Sequence, residues 1–308
     1  MRKFNLRGTV VQRMKGIPKE DPAEKEKEEE KTASQLEYDP AFSPEQGRFA
    51  CAWRTDVGRL RRNNQDAVII GNGMAGVADG MGGHNGGEIA SAGLRDGLLR
   101  ETKGSLPGRE KLEESIRIVN KELWDRQEQD ATLTGMGTTL TILWPDTNEM
   151  MIAQVGDSRA YLLRDGELNQ ITNDHSMVAD MVRKGVLTEE QAACHPMRNY
   201  ITRAVGTDDT VEPDFFMHDR KKGDCWLVCS DGLHGMVSKT GLLDLLCPED
   251  LEGSADGLLQ AALENGGRDN VTLVLLRDDS GPVQKLNDQP DEKPSSPEES
   301  ETGEVTDR

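Results

Sequence analysis

The tightest constraint on this chain is a juncture it repeats, an apolar run that stops at an aspartate. AGVAD ends at Asp79 before Gly80, MIAQVGD ends at Asp157, and CWLVCSD ends at Asp231 before Gly232. Asp269 stands at the head of the run NVTLVLL. Aliphatic and β-branched runs of this length read as buried strands, so each acid falls where a strand meets a loop. A single Asp-Gly step is a turn signal and nothing more. Four acids at four strand ends converge on one rim if the strands are neighbours. Close carboxylates repel and raise each other's pKa unless a cation lies between them. Mg²⁺ and Mn²⁺ favour all-oxygen surroundings, keep several waters and accept backbone carbonyls. The pattern therefore points to a site for divalent cations.

The rest of the pattern supplies the frame. FACAWRTDVG, DAVIIGNG and GMAGVADG read as strands separated by glycine turns. A helix is expected over 88–103. A second is expected over 109–129, where Leu112, Ile116, Val119 and Leu123 recur on one face. The stretches 138–143 and MMIAQVGDSRAYLLRDGEL read as further strands, with turns at 156–158 and 165–166. Residues 174–200, with His175, His195 and Pro196, read as short helical pieces in a surface insertion. DCWLVCSDG reads as a buried strand, two helices follow near 240–247 and 254–265, and NVTLVLL is the last strand. Strands come in runs, helices come in runs, and no regular βαβ alternation appears. That argues for antiparallel sheets with helices on the outside. Trp53, Trp144 and Trp226 fall in strand patterns and are expected in the core.

Charge and cysteine usage narrow the function. The formal net charge is −19, which opposes nucleic-acid binding, because that needs cations to displace counterions from phosphates. The five cysteines form neither a CxxC pair nor a zinc spacing; reduced thiols and a cytoplasmic setting fit best. No stretch approaches the ~18 apolar residues of a transmembrane helix, and the N-terminus lacks the apolar block and cleavage site of a secretory signal. Residues 1–46 read as a disordered, charged leader and 278–308 as a disordered acidic tail. The globular unit is expected over 47–277. A calcium module would cluster its ligands in one short loop, whereas these acids span Asp79 to Asp269.

RTDVGRLRRNNQDA adds cations beside an early strand. It reads either as a basic turn or as a phosphate-pairing arginine next to the metal cluster, since a guanidinium can grip two phosphate oxygens at once.

Taken in order, RTDVGRLRRNNQDA, VADGMGGHNGGEIAS, GMGTTLTIL, QVGDSRAYLLRDGEL, ITNDHSMV, RNYITRAVGT, LVCSDGL and GRDNVTLVLL resemble the metal-dependent type-2C protein serine/threonine phosphatases, in their compact bacterial form. The resemblance implies an α+β fold, a four-layer α-β-β-α sandwich of two central antiparallel sheets flanked by helices. It implies hydrolysis of phosphoserine and phosphothreonine on proteins by a metal-activated water, with two Mn²⁺ or Mg²⁺ ions and a third, weaker one. By the same resemblance Asp79 bridges both ions, the Gly80 carbonyl is a further ligand, and Asp231 and Asp269 complete the first site. Asp157, together with Asp231, holds the third ion. Arg61 matches the phosphate-binding arginine, Asp66 an acid that orients water, and 174–200 a flap bordering the cleft. The implied partners are phosphorylated proteins and a cognate Ser/Thr kinase. Two positions depart from the pattern: Gln65 stands where some members have Glu, and Met81 where many eukaryotic members have a histidine. The acid that protonates the leaving group is therefore unassigned, with His84 and water as candidates. The alternative within this fold is a catalytically weak regulator that binds phosphoproteins.

Overall fold

The computed structural model describes residues 48–82 and 86–280. His84 and the expected leader and tail lie outside the described residues, apart from the first residues after 277. The strands are β1 (Phe49–Asp56), β2 (Asp66–Gly71), β3 (Met74–Met81), β4 (Gly137–Thr138), β5 (Leu140–Pro145), β6 (Glu149–Val155), β7 (Arg159–Arg164), β8 (Glu167–Gln170), β9 (Asp214–Asp219), β10 (Cys225–Cys229) and β11 (Val271–Asp278). The helices are α1 (Gly86–Glu101), α2 (Arg109–Gln129), α3 (Met177–Arg183), α4 (Glu189–Ala193), α5 (Asp231–His234), α6 (Lys239–Leu245) and α7 (Leu251–Glu264).

Local chemistry explains several of these elements. The β2–β3 and β7–β8 hairpins close through two-residue loops, Asn72-Gly73 and Asp165-Gly166, with φ of 51° and 75° in the first and 54° and 80° in the second. Positive φ at both loop residues is the geometry that matches strand twist, and Asn-Gly and Asp-Gly adopt it readily. Short helices carry side-chain caps: Ser176 Oγ accepts from Ala179 N at the head of α3, and Thr188 and Gln191 form a capping box at α4.

The strands form two antiparallel sheets, one ordered β1-β11-β10-β7-β8 and the other β2-β3-β5-β6-β9 with β4 added to β3. Three apolar layers hold the stack. Trp226, Val228, Val274 and Leu276 of the first sheet meet Val77, Leu143 and Ile152 of the second in the middle layer. Ile69, Leu140 and Ile142 pack outward against Leu94, Leu98, Leu112 and Ile116 of α1 and α2. Leu227, Leu273 and Leu275 pack outward against Leu242 of α6 and Leu258 of α7. The fold is the expected α-β-β-α sandwich, because alternate residues of each central strand face different apolar layers. Cys225 and Cys229 are buried on one face of β10.

The structure corrects four details. Trp53 is 48% exposed, whereas Trp144 and Trp226 are fully buried; β1 is an edge strand, and this part of it reaches past the core. The turn expected at 156–158 joins strands that do not pair, because β6 and β7 belong to different sheets. DFFMHD forms β9, an unexpected strand whose half-exposed pattern hides it from a search for apolar runs. β11 continues through Asp278, which is 1% exposed and receives a hydrogen bond from Arg220 Nε at 2.7 Å, so order extends past the expected boundary.

Candidate metal and phosphate site

The topology carries the aspartates to one end of the sandwich. In antiparallel sheets, the end of β3 lies beside the starts of β2 and β5, and the end of β6 lies on the same rim. In the other sheet the end of β10 lies beside the starts of β7 and β11. The 156–158 connection crosses between sheets at that rim. Asp66 and Asp79 are direct cross-strand partners, so their side chains share a face. Asp157 sits in the crossing, Asp231 opens α5, and Asp269 lies two residues before β11.

Each backbone is pinned. Thr139 Oγ1 accepts from Asp79 N at 2.9 Å, while Thr139 N and Thr138 Oγ1 donate to the Asp79 carbonyl at 2.8 and 3.0 Å. Gly80 packs so closely on Gly87 and Gln65 that a Cβ would collide with both backbones, which seats the end of β3 against the start of α1. Gly232 is equally confined: a Cβ there would strike the Asn270 carbonyl. That contact locks the Asp231 turn onto the Asp269 loop.

Asn270 joins three segments. Its Nδ2 donates to the carbonyls of Val57 and Asn63, each at 2.9 Å, and its Oδ1 accepts from Gln65 N at 2.8 Å. The loop that carries Arg61 is thereby fixed to the loop that carries Asp269. Arg61 Nη2 donates to Asp269 Oδ2 at 2.7 Å, and Arg61 remains about half exposed. Ser230 Oγ donates to Asp66 Oδ2 at 2.9 Å and accepts from Thr272 N at 3.0 Å. His234, one turn after Asp231, hydrogen-bonds through Nε2 to the Asp157 carbonyl at 3.0 Å. Burial lowers its pKa to about 3, so it is neutral and Nε2–H is the donor. His175 Nδ1 accepts from Gly156 N at 3.0 Å while its Nε2 faces Asp214 Oδ2 at 3.1 Å. It ties the segment 174–200 to the crossing that holds Asp157. Asn270, Ser230, Thr139, His175 and His234 were not singled out for the site by sequence. Asn270 and Ser230 do adjoin Asp269 and Asp231, and that adjacency was the available signal.

The electrostatics show what the rim lacks. Burial and the neighbouring carboxylates push Asp231 up to about 8, and Asp79 rises for the same reasons, with Asp66 its strongest neighbour. Burial also raises Asp66 to about 6. Asp157 goes to about 6 through burial and the field of Asp174. Asp66 Oδ1 is buried without a hydrogen-bond partner. Among the described residues, no three His, Cys, Asp or Glu side chains already close around one ion-sized point. Carboxyl groups set this close either keep protons or take a cation between them. Hard divalent ions take only part of their shell from protein and keep waters for the rest. Carboxyl oxygens in excess, one of them buried and unpartnered, fit such ions. A cleft of about 520 Å³ runs from Asp157, Asp231 and Asp269 to the residues of α3 and α4.

Residues 60–265 match the family described as protein phosphatase 2C. The chain is 42% identical over 227 residues to the serine/threonine protein phosphatase PstP of Mycobacterium tuberculosis, which covers 73% of this chain and 44% of that protein. The chain thus spans less than half the length of PstP. It is 38% identical over 245 residues to the serine/threonine phosphatase stp of Listeria monocytogenes, covering 74% of this chain and 95% of that one. The crystal structure of M. tuberculosis PstP/Ppp superposes with a TM-score of 0.71 at 40% identity, over 74% of this chain and 98% of that chain. The PstP catalytic domain solved in complex with two manganese ions gives 0.69 at 40% identity, over 74% of this chain and 97% of that chain. The chain belongs to the protein phosphatase 2C family.

Proposed function

We propose that this chain is a divalent-cation-dependent phosphatase of phosphoserine and phosphothreonine in proteins. The observation that carries the reading is four aspartates at one rim, Asp66, Asp79, Asp157 and Asp231, whose pKa values are raised by desolvation and by neighbouring carboxylates, with Asp269 and its partner Arg61 beside them. We assign Asp79, the Gly80 carbonyl, Asp231 and Asp269 to two cations, Mn²⁺ or Mg²⁺, and Asp157 with Asp231 to a weaker third. When bound, these ions make a water acidic enough to be a nucleophile near neutral pH and offset charge on the phosphoryl oxygens.

The chain's own groups do the rest. Arg61 keeps one donor on Asp269, and its remaining N–H groups are free to pair with two phosphate oxygens. That fixes the phosphorus for in-line attack, which phosphoryl transfer requires. Asp66, held by Ser230 on one oxygen, keeps its other oxygen buried and unpartnered, and we assign that oxygen to hold a water at the rim. His234 is neutral and committed to the Asp157 carbonyl, so it does not serve as the proton donor. In this reading the catalytic unit runs from about residue 47 to the end of β11, and 174–200 borders the cleft.

No helix among the described residues is long and apolar enough to cross a membrane. We place the protein in the cytoplasm, opposing a Ser/Thr kinase in signalling. The regulator reading has less support, because every acid assigned to a cation is present. The test is hydrolysis of p-nitrophenyl phosphate and of a phosphothreonine peptide, with Mn²⁺ or with EDTA. Turnover is expected only with the metal. Equal rates in EDTA would end this reading.

A further inference from the structure

The cleft extends beyond the aspartate rim, and its far end has a different chemistry. Its charged groups are mostly accounted for. Arg159 is held bidentately by Asp174, with Nε–Oδ1 at 2.9 Å and Nη2–Oδ2 at 2.7 Å, and also reaches Tyr161 Oη at 3.2 Å. Arg183 is spent on Asp180 and on the Asp174 carbonyl. Asp269 is paired with Arg61. Two arginines on the wall remain, Arg198 after α4 and Arg268 beside Asp269. Both are exposed, and among the described residues neither side chain has a hydrogen-bond or ion-pair partner. Among the described residues on this part of the wall, Glu189 is the one acid that no cation or ion pair claims. In a chain of net charge −19, unpaired guanidinium groups sharing a cavity with the reaction site stand out. The overall field repels anionic substrates, so local cations must do any recognition of them.

We infer that Arg198 and Arg268 form a subsite for an anionic side chain a few residues from the phosphorylated Ser or Thr of the substrate protein. The inference rests on the phosphatase reading and adds a substrate class to it, phosphoproteins acidic around the target residue. A guanidinium recognises a carboxylate and a second phosphate by the same forked hydrogen bonds, so either can occupy the subsite. Both arginines are positioning residues, since the phosphoryl group itself is met at Arg61 and the aspartates.

The experiment uses the full chain with Mn²⁺ and a set of phosphothreonine peptides. In the set one flanking position, from two to four residues on either side, is Gln, Glu, phosphoserine or Lys. For wild type, kcat/KM at one or more positions should rise about five- to ten-fold from Gln to Glu, as a partly exposed charge-assisted bond gives. The gain should lie in KM and shrink at 0.5 M NaCl. Comparing the Glu and phosphoserine peptides shows which anion is preferred. Arg198→Gln with Arg268→Gln should bring the Glu:Gln ratio near one, and the double Glu substitution should turn the preference towards the Lys peptide. A wild-type enzyme that hydrolyses every peptide without regard to flanking charge overturns the subsite and leaves the phosphatase reading intact. A ratio that survives both double variants overturns the subsite as well. Failure to hydrolyse any phosphopeptide sinks both readings together.

Discussion

The middle layer between the sheets and the rim at its end are built from the same strands, yet they obey opposite rules. In the middle layer, Val77, Leu143, Ile152, Trp226, Val228 and Val274 exclude water from one another, and every neighbour improves every other. A few residues along, the same β3 and β10 deliver Asp79 and Asp231 into a partly enclosed space where each acid makes the next more costly to ionise. The first region is self-sufficient. The second leaves carboxyl groups in excess of their partners, and strongly perturbed groups of this kind cluster at functional sites.

The largest effect expected from this contrast is on activity. Asp231→Asn should lower turnover of an aryl phosphate by about 10³-fold or more, as loss of a group acting in the transition state does. The same change removes an ionisable carboxyl that its neighbours make costly to charge, so the metal-free protein should melt no lower than wild type. Thermal melts in EDTA check this. A clear loss of stability there would mean that Asp231 serves the fold rather than the site.

The middle layer should give the mirror result. Leu143→Ala should cost about 2–5 kcal/mol of stability through lost burial and a cavity, which for a domain this size is a fall of several degrees or more. Turnover per folded molecule should change little. If the rate collapses with the fold intact, the two regions are more tightly coupled than their chemistry suggests.

Removing the metal should expose the rim's cost as a pH dependence. The folded-state pKa values of Asp66, Asp157 and Asp231 are raised, the last to about 8. A carboxyl whose pKa is higher folded than unfolded binds its proton more tightly in the folded state. Its stabilisation is therefore full below about pH 4 and is lost as pH rises through the folded values. In EDTA the melting temperature should fall between about pH 5 and 8. Saturating Mn²⁺ should remove or reverse that slope. A flat profile in EDTA would show that the carboxylates are not crowded as described.

The sequence disclosed these two regions unequally. The sheets were legible because period-2 burial and the Asn72-Gly73 and Asp165-Gly166 turns are local signals. The crossing at 156–158 was not, because two strands joined by a short polar turn read the same whether they pair or part. Trp53 misled because an aromatic in a strand pattern says nothing about whether the strand is central or at an edge. At the rim, Asp79, Asp157, Asp231 and Asp269 were visible as acids at the ends of apolar runs. Arg61 and Asp66 acquired roles only through the family resemblance. The groups that aim them, Asn270 and Ser230, act across more than 160 residues of chain, and no local pattern encodes a contact of that kind.

Ser230 belongs to both regions and should show the smallest effect. Its backbone N donates to the Thr272 carbonyl in the sheet, and its hydroxyl takes the Thr272 N–H while donating to Asp66 Oδ2. Ser230→Ala keeps the backbone bond, leaves Thr272 N–H unpaired and frees Asp66. The stability cost should be about 1–2 kcal/mol, the penalty for a buried donor left unsatisfied. The rate should fall only about three- to ten-fold, because Asp66 remains in place by its cross-strand pairing with Asp79. Melting with Mn²⁺ and with EDTA separates the two contributions. If the variant loses the same stability in both conditions, the hydroxyl serves the sheet. If the loss appears only with Mn²⁺, its bond to Asp66 is part of how the site holds its ions, and the boundary between frame and site runs through this one side chain.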